Sequence, residues 1–209
     1  MKKALDDAAL DTLFREARSY TRWSPEPVTE KTLHALYDLL KWGPTATNSS
    51  PARFVFVTSA AAKATLVGCV SPGNVVKVEQ APVSAIIGMD ENFHDKIPAL
   101  FPHRPQAGEG FKDPAVGRVV MMRNASLQGA YLILALRAQG LDCGPMSGFD
   151  ATKVDAAFFP EGRYRSNFLL NIGYGDRESL RPRLPRLGFA EVALGLKSGW
   201  AAGNALTFR

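Results

Sequence analysis

The sequence predicts an α+β fold, and three observations carry that expectation. Three short runs rich in β-branched and aromatic residues, Phe54 to Thr58, Val83 to Ile87 and Phe168 to Tyr174, read as strands. Stretches with apolar residues at helical spacing separate them. One of these, Val116 to Gln139, holds no proline and is apolar on most sides in its second half. That marks a helix buried at the centre of a domain or at a subunit interface.

Each element has its own signal. Leu5, Leu10, Leu13, Phe14 and Ala17 give residues 5–18 a helical period. Ser24-Pro25-Glu26-Pro27 breaks any helix. Thr29 is placed to cap a helix carrying Leu33, Leu36, Tyr37, Leu39 and Leu40 on one face, which stops at Gly43-Pro44. Residues 60–68 read as a short Ala-rich helix. The Pro-rich stretch 91–114 reads as a long loop or lid with room for one helical turn, and loops of that length are often functional. Gly140 closes the long helix, and Asp150 is placed to cap a short one at 151–158. Neither a repeat nor a linker interrupts the chain. The expectation is one domain over 1–196 and a loose tail or arm over 197–209.

Composition narrows the class. With 46% hydrophobic and 22% charged residues, the 209-residue chain excludes wholesale disorder and is long enough to bury a core. Cys69 and Cys143 lie far apart with no Cys or His neighbours, so neither a disulfide framework nor a zinc site is expected, and both read as packing residues. His34, His94 and His103 are too scattered to spell a metal site. The longest unbroken apolar run, Ala130 to Leu136, falls far short of the roughly 18–20 residues of a membrane span. Met1-Lys2-Lys3 is soon followed by acidic residues, with no apolar stretch typical of a leader. A reduced, cytoplasmic protein without a membrane partner is the expectation. Lys and Arg total 25 against 20 Asp and Glu, a net +5. The charges are spread, so the surplus points to a small anionic ligand held by a few arginines, and not to nucleic acid.

Gly-rich phosphate loops, nucleophile elbows and spaced carboxylate pairs are all missing from the sequence. Chemistry carried by a bound cofactor gains weight accordingly. Four polar clusters stand out: Arg18-Ser19-Tyr20-Thr21-Arg22-Trp23; Gly43 through Pro51 followed by Arg53-Phe54; Gly144-Pro145-Met146-Ser147-Gly148-Phe149-Asp150; and Arg181 through Arg186. Taken singly, each has a plainer reading. Arg18 and Arg22 fit solvated charges at a helix end, Asn48 fits a turn, 144–148 fits a connection, 181–186 fits an exposed basic stretch, and Lys77 fits a surface lysine.

Taken in order, the clusters resemble the flavin-binding nitroreductase family over about residues 10–190. Lys41 to Thr45, Ser50 to Phe56, Gly144 to Asp150 and Asn171 to Asp176 are similar to a branch of that family that reduces malonic semialdehyde in pyrimidine degradation. The resemblance implies a nitroreductase-like fold, with a central mixed or antiparallel sheet flanked by helices. It also implies a homodimer binding two FMN molecules at its interface, with NADH or NADPH as reductant.

The family's roles, carried over residue by residue, give a cofactor set. Arg18, Ser19 and Arg22 match its first basic motif, with Ala17 and Thr21 replacing two basic positions. Arg181 and Arg183 match the late pair near the phosphate, which suits arginine's planar fork. Pro44, Thr45, Ala46 and Asn48 match the segment laid against the flavin, often from the partner subunit, with Ser50 and Ala52 replacing the usual glutamine and tryptophan. Asn74 and Lys77 match an element beside the flavin's pyrimidine edge. Pro145, Met146, Ser147 and Gly148 match the loop under the ring near N5, where Gly148 lets backbone approach. His103 and Arg104 in the Pro-rich stretch are the candidate contacts to a substrate carboxylate. Flavin N5 carries the redox step, so no side chain is assigned as catalytic. The implied reaction reduces malonic semialdehyde to 3-hydroxypropionate by ping-pong hydride transfer. A broad nitro or quinone reductase and a flavin-binding protein without turnover are the alternatives.

Overall fold

Strand β4, Tyr164–Gly173, is the axis of the sheet. It pairs antiparallel with β2 (Val83–Asp90) on one side and with β3 (Asp142–Met146) on the other, and β1 (Ala52–Val57) pairs antiparallel with β2. The order is therefore β1-β2-β4-β3. In the computed structural model, residues 3–193 are described, in two compact units split after Ser179. The expected boundary between 196 and 197 lies outside the described residues.

The helices of the first unit are α1 (Asp7–Leu10, continuing as a π-turn to Arg15), α2 (Glu30–Leu40), α3 (Ala60–Val67), α4 (Val75–Gln80), α5 (Ile97–Leu100), α6 (Pro114–Ala138) and α7 (Ala151–Phe158). The second unit holds residues 180–188, which lie outside helix and strand, and α8 (Phe189–Val192). Side-chain caps fix several starts, as expected at Thr29 and Asp150: Thr29 Oγ1 accepts from Thr32 N at 3.2 Å and Asp150 Oδ1 from Lys153 N at 3.1 Å. Gly140 takes φ +74°, the left-handed turn that ends α6.

Two cores lie on opposite faces of the sheet. Alternation along β4 sends Leu170 and Ile172 to one face, with Leu36, Leu40, Leu132 and Leu136 of α2 and α6. Leu169 faces the other way, into Val78, Met146 and Val154. Gly129 of α6 sits where a Cβ would come 2.4 Å from the Phe168 ring, so the helix rides directly on β4.

Three features depart from the sequence expectation. The β3 segment is a strand; Gly144 and Pro145 weaken its signal, and pairing with β4 supplies what propensity lacks. The 91–114 stretch holds α5 and two 3₁₀ segments, Phe93–Lys96 and Pro105–Lys112, nucleated around buried Phe93 and Ile97. Helix α6 reaches a mean hydropathy of 1.3 over 18 residues, enough in length and apolarity for a membrane crossing. A count of unbroken apolar residues misses this because Arg123, Asn124, Ser126, Gln128 and Gly129 interrupt the run. Its packing is that of a core helix: one face buries Met121, Asn124, Ala125, Gln128, Leu132 and Leu136, while Val119, Met122 and Leu127 are exposed.

At the β1 end of the sheet Asp90 is fully buried between two arginines. Arg53 Nη2 meets it at 2.5 Å, and Arg163 reaches it through Nε at 3.0 Å and Nη2 at 3.1 Å. A bidentate guanidinium offsets much of the cost of burying the charge. Asp90→Asn is expected to lose about 3 kcal/mol, because two arginines then face a neutral group. Urea unfolding monitored by circular dichroism checks this.

Candidate functional site

The outer edge of β3 is covered by residues 18–24. Tyr20 N donates to Cys143 O at 3.0 Å, Ser24 N to Tyr174 O at 2.8 Å and Asp176 N to Arg22 O at 3.1 Å. Glycine permits the contact. A Cβ on Gly144 would fall 2.2 Å from Tyr20 O, and one on Gly175 would fall 2.2 Å from the Tyr20 ring. Tyr20 is buried, which pushes its phenol up, while Ser19 and Arg22 are left exposed and Arg18 half-buried beside it.

The far end of the same strand receives residues 70–77. Ser71 N and Asn74 Nδ2 both donate to Gly148 O, at 3.0 and 2.9 Å, and Lys77 Nζ donates to Asn74 Oδ1 at 2.9 Å. A Cβ on Gly148 would stand 2.7 Å from Asn74 Nδ2. Met146 is buried beneath, and Pro145 and Ser147 are exposed. The structure thus brings together Arg18, Ser19, Arg22, Asn74, Lys77 and 145–148 along one strand edge. The four steps from Gly144 to Gly148 span ~13 Å at strand rise.

The segment 44–48 lies elsewhere. It precedes β1, the opposite edge of the sheet, three strand spacings of ~4.8 Å from β3. Its bonds go to α6 and α5: Ala46 N donates to Asn124 Oδ1 at 2.8 Å, and Asn48 Nδ2 to Leu100 O at 2.8 Å. Thr47, Asn48 and Ser50 all hold positive φ, 51°, 52° and 42°. The bond to Leu100 ties this segment to the stretch bearing His103 and Arg104. Both are exposed, and the His103 ring lies 3.9 Å from that of Phe101. A single chain therefore presents two separate groups of candidate residues. Arg181 and Arg183 fall in the second compact unit, where both are exposed.

Several residues with a hand in this arrangement carry no sequence motif. Asn124 and Gln128, at i and i+4 on the buried face of α6, accept from Ala46 N and Ala52 N, each at 2.8 Å. Two amides one turn apart in an apolar helix are the signal that would have found them. Asp142 accepts from Gly175 N at 3.0 Å, and burial raises its carboxyl against that bond and against Arg177 and Arg137. Burial likewise pushes the Cys143 thiol up to about 11, which leaves it a packing residue.

The Nitroreductase family model covers residues 14–174, and the chain belongs to that family. That membership makes it an oxidoreductase. Two relatives carry the provisional name NADH dehydrogenase/NAD(P)H nitroreductase. One, from Rhodopseudomonas palustris, is 56% identical over 92% of this chain and 98% of its own. Another, from Stenotrophomonas maltophilia, is 59% identical over the same shares. Among solved structures, a Bacillus subtilis nitroreductase superposes with TM-score 0.84 at 23% identity, covering 91% of this chain and all of its own. A nitroreductase from Exiguobacterium sibiricum solved with FMN superposes with TM-score 0.75 at 20% identity, over 92% and 98%.

A folded carboxyl held above its unfolded value favours the protonated form. Its contribution is present at pH below the unfolded value and is lost as pH rises through the folded one. Asp142→Asn keeps an acceptor for Gly175 N and removes the cost of ionisation. The variant is expected to melt above wild type at pH 7, with the gap closing below roughly pH 4. Thermal melts across that range check it.

Proposed function

We propose that the chain is an FMN-dependent NAD(P)H oxidoreductase acting as a homodimer, with malonic semialdehyde as acceptor and 3-hydroxypropionate as product. The observation that carries the reading is the Gly148–Asn74–Lys77 chain of bonds, at the other end of the strand edge that residues 18–24 cover. That donor set fits FMN: guanidinium groups for a phosphate, a carboxamide and an ammonium for ring carbonyls, and backbone laid bare by Gly148. When bound, FMN supplies two-electron hydride transfer between NADH or NADPH and a second substrate. The chain's residues bind and orient. Arg18, Ser19 and Arg22 hold the phosphate end; Asn74 and Lys77 hold the pyrimidine edge; and 145–148 support the ring. For Arg181 and Arg183, a phosphate role rests on the family resemblance alone. The proton for the aldehyde oxygen comes from water or the bound substrate.

A second copy supplies what one chain separates. Pro44, Thr45, Ala46 and Asn48 stand at the edge opposite Lys77, so a partner's copy of that segment completes the site. Exposed Tyr37, Leu39, Trp42, Val119, Met122 and Leu127 on α2, the turn after it and α6 offer an apolar contact surface. Through Leu100 the 44–48 segment brings His103 and Arg104 with it, and these cations suit the carboxylate of an acidic aldehyde. Both cysteines are free and buried, in keeping with a reduced cytoplasmic setting.

The test is the visible spectrum of protein with added FMN, under anaerobic conditions. Flavin bands should bleach with NADH or NADPH and recover on adding malonic semialdehyde. Recovery only with nitroaromatics or quinones would favour the broad reductase, the reading to which the relatives' names point.

Two variants refine the assignment. Arg183→Ala is expected to weaken FMN retention at least about tenfold, the scale of one charge-assisted hydrogen bond, with the far-ultraviolet spectrum unchanged. Equilibrium dialysis measures it. Arg104→Ala should raise KM for malonic semialdehyde by roughly tenfold while leaving KM for NADH within about twofold. Equal effects on both substrates would argue against a carboxylate contact.

A further inference from the structure

The face of the sheet toward α4 carries an apolar row at Val55, Ile86, Leu169 and Met146. The next row is polar at its centre. Ser84 of β2 and Asn171 of β4 are direct cross-strand partners, flanked by Val57 and Gly144, and are 0% and 1% exposed. Asn171 interrupts the run Phe168-Leu169-Leu170 and Ile172, where another aliphatic residue would pack without any polar cost.

Both ends of the Asn171 carboxamide are spent. Ser84 Oγ donates to its Oδ1 at 2.6 Å. Its Nδ2 donates to the backbone oxygen of Lys77 at 2.9 Å and also lies 3.7 Å from Met146 Sδ. The Lys77 carbonyl is one of the last four of α4, which have no partner within the helix. A six-residue helix has little stability of its own, so side chains decide where it lies. Lys63 Nζ takes Ala81 O at 2.5 Å just past its end, and Asn74 anchors its start on Gly148. Asn74 Oδ1 also accepts from the Lys77 ammonium at 2.9 Å, while Asn171 is the member that holds the Lys77 backbone, and it touches Met146 as well.

We infer that Asn171, oriented by Ser84, is a positioning residue that fixes the Lys77 ammonium against the flavin site and so tunes the cofactor's reduction potential. The inference rests on the reading that FMN binds with its pyrimidine edge at Lys77. A cation there stabilises the negative charge gained on reduction, and a displacement of about 1 Å in such a group is enough to matter.

The experiment is a double-mutant cycle on FMN-loaded protein. FMN affinity and midpoint potential are measured for wild type, Lys77→Met, Asn171→Leu and the double variant, with a thermal melt for each. Lys77→Met should weaken binding of reduced relative to oxidised FMN about tenfold, a drop of about 30 mV in midpoint potential for a two-electron couple. Asn171→Leu should give a drop in the same direction with Lys77 still present, and the double variant should match Lys77→Met alone. An unchanged potential in Asn171→Leu overturns the proposal, as does a drop that adds in full to that of Lys77→Met. FMN bound with no shift in Lys77→Met overturns both the proposal and the placement of Lys77 at the flavin, whereas no FMN binding by wild type overturns the cofactor reading itself. Should Asn171→Leu fail to fold, Ser84→Ala frees the carboxamide and is expected to give a smaller drop that vanishes in the Lys77→Met background. A Ser84→Ala potential equal to wild type overturns the proposal.

Discussion

The carboxamides of Asn124, Gln128 and Asn171 are all buried, and each holds a backbone atom of a segment that carries candidate site residues or leads directly into the sheet. Asn124 takes Ala46 N, Gln128 takes Ala52 N, and Asn171 gives to Lys77 O. A buried amide must find partners, and it finds them in only one arrangement of its surroundings. That constraint turns loops and a short helix into fixed parts of the scaffold. Without it, residues 44–50 with their positive φ values would have little reason to stay where they are, and α4 would be too short to hold its own position.

Charge is handled differently at the two ends of the sheet. At the β1 end Asp90 is enclosed by Arg53 and Arg163, and Arg53 also donates to Ser50 O at 3.0 Å. The ion cluster thereby braces the turn leading out of the 44–48 segment. At the β3 end Asp142 is buried against Gly175 N with arginines at greater remove, and its ionisation works against the fold. One carboxylate is a structural pin and the other a pH-sensitive joint beneath the 18–24 segment.

The division of the candidate residues between two edges is the architectural fact with most consequence for function. Sheet order puts β1 and β3 as far apart as four strands allow. On the proposed reading, a flavin held at β3 takes its second surface from the 44–48 segment of a partner copy. The proposed homodimer would be joined through α2 and α6, whose outer faces expose aromatic and aliphatic side chains.

Local signals made much of this legible. The caps at Thr29 and Asp150, the turn at Gly140, the strands at 54–58, 83–87 and 168–174 and the helix at 151–158 were set by short-range preferences, and the structure agrees to within a few residues. The clusters 18–23 and 144–148 were visible as polar punctuation between apolar runs. Local preference failed where pairing or packing decides. Strand β3 exists because β4 offers it partners, although glycine and proline argue against it. The 91–114 stretch winds into short helices because Phe93 and Ile97 find a core. The roles of Asp90, Asn124, Gln128 and Asn171 were illegible because a lone polar residue in an apolar run has no meaning until its partner, 37 to 94 positions away, is brought beside it. The sequence determined the elements and the chemistry available; long-range contact, which no local pattern encodes, decided which of those groups meet.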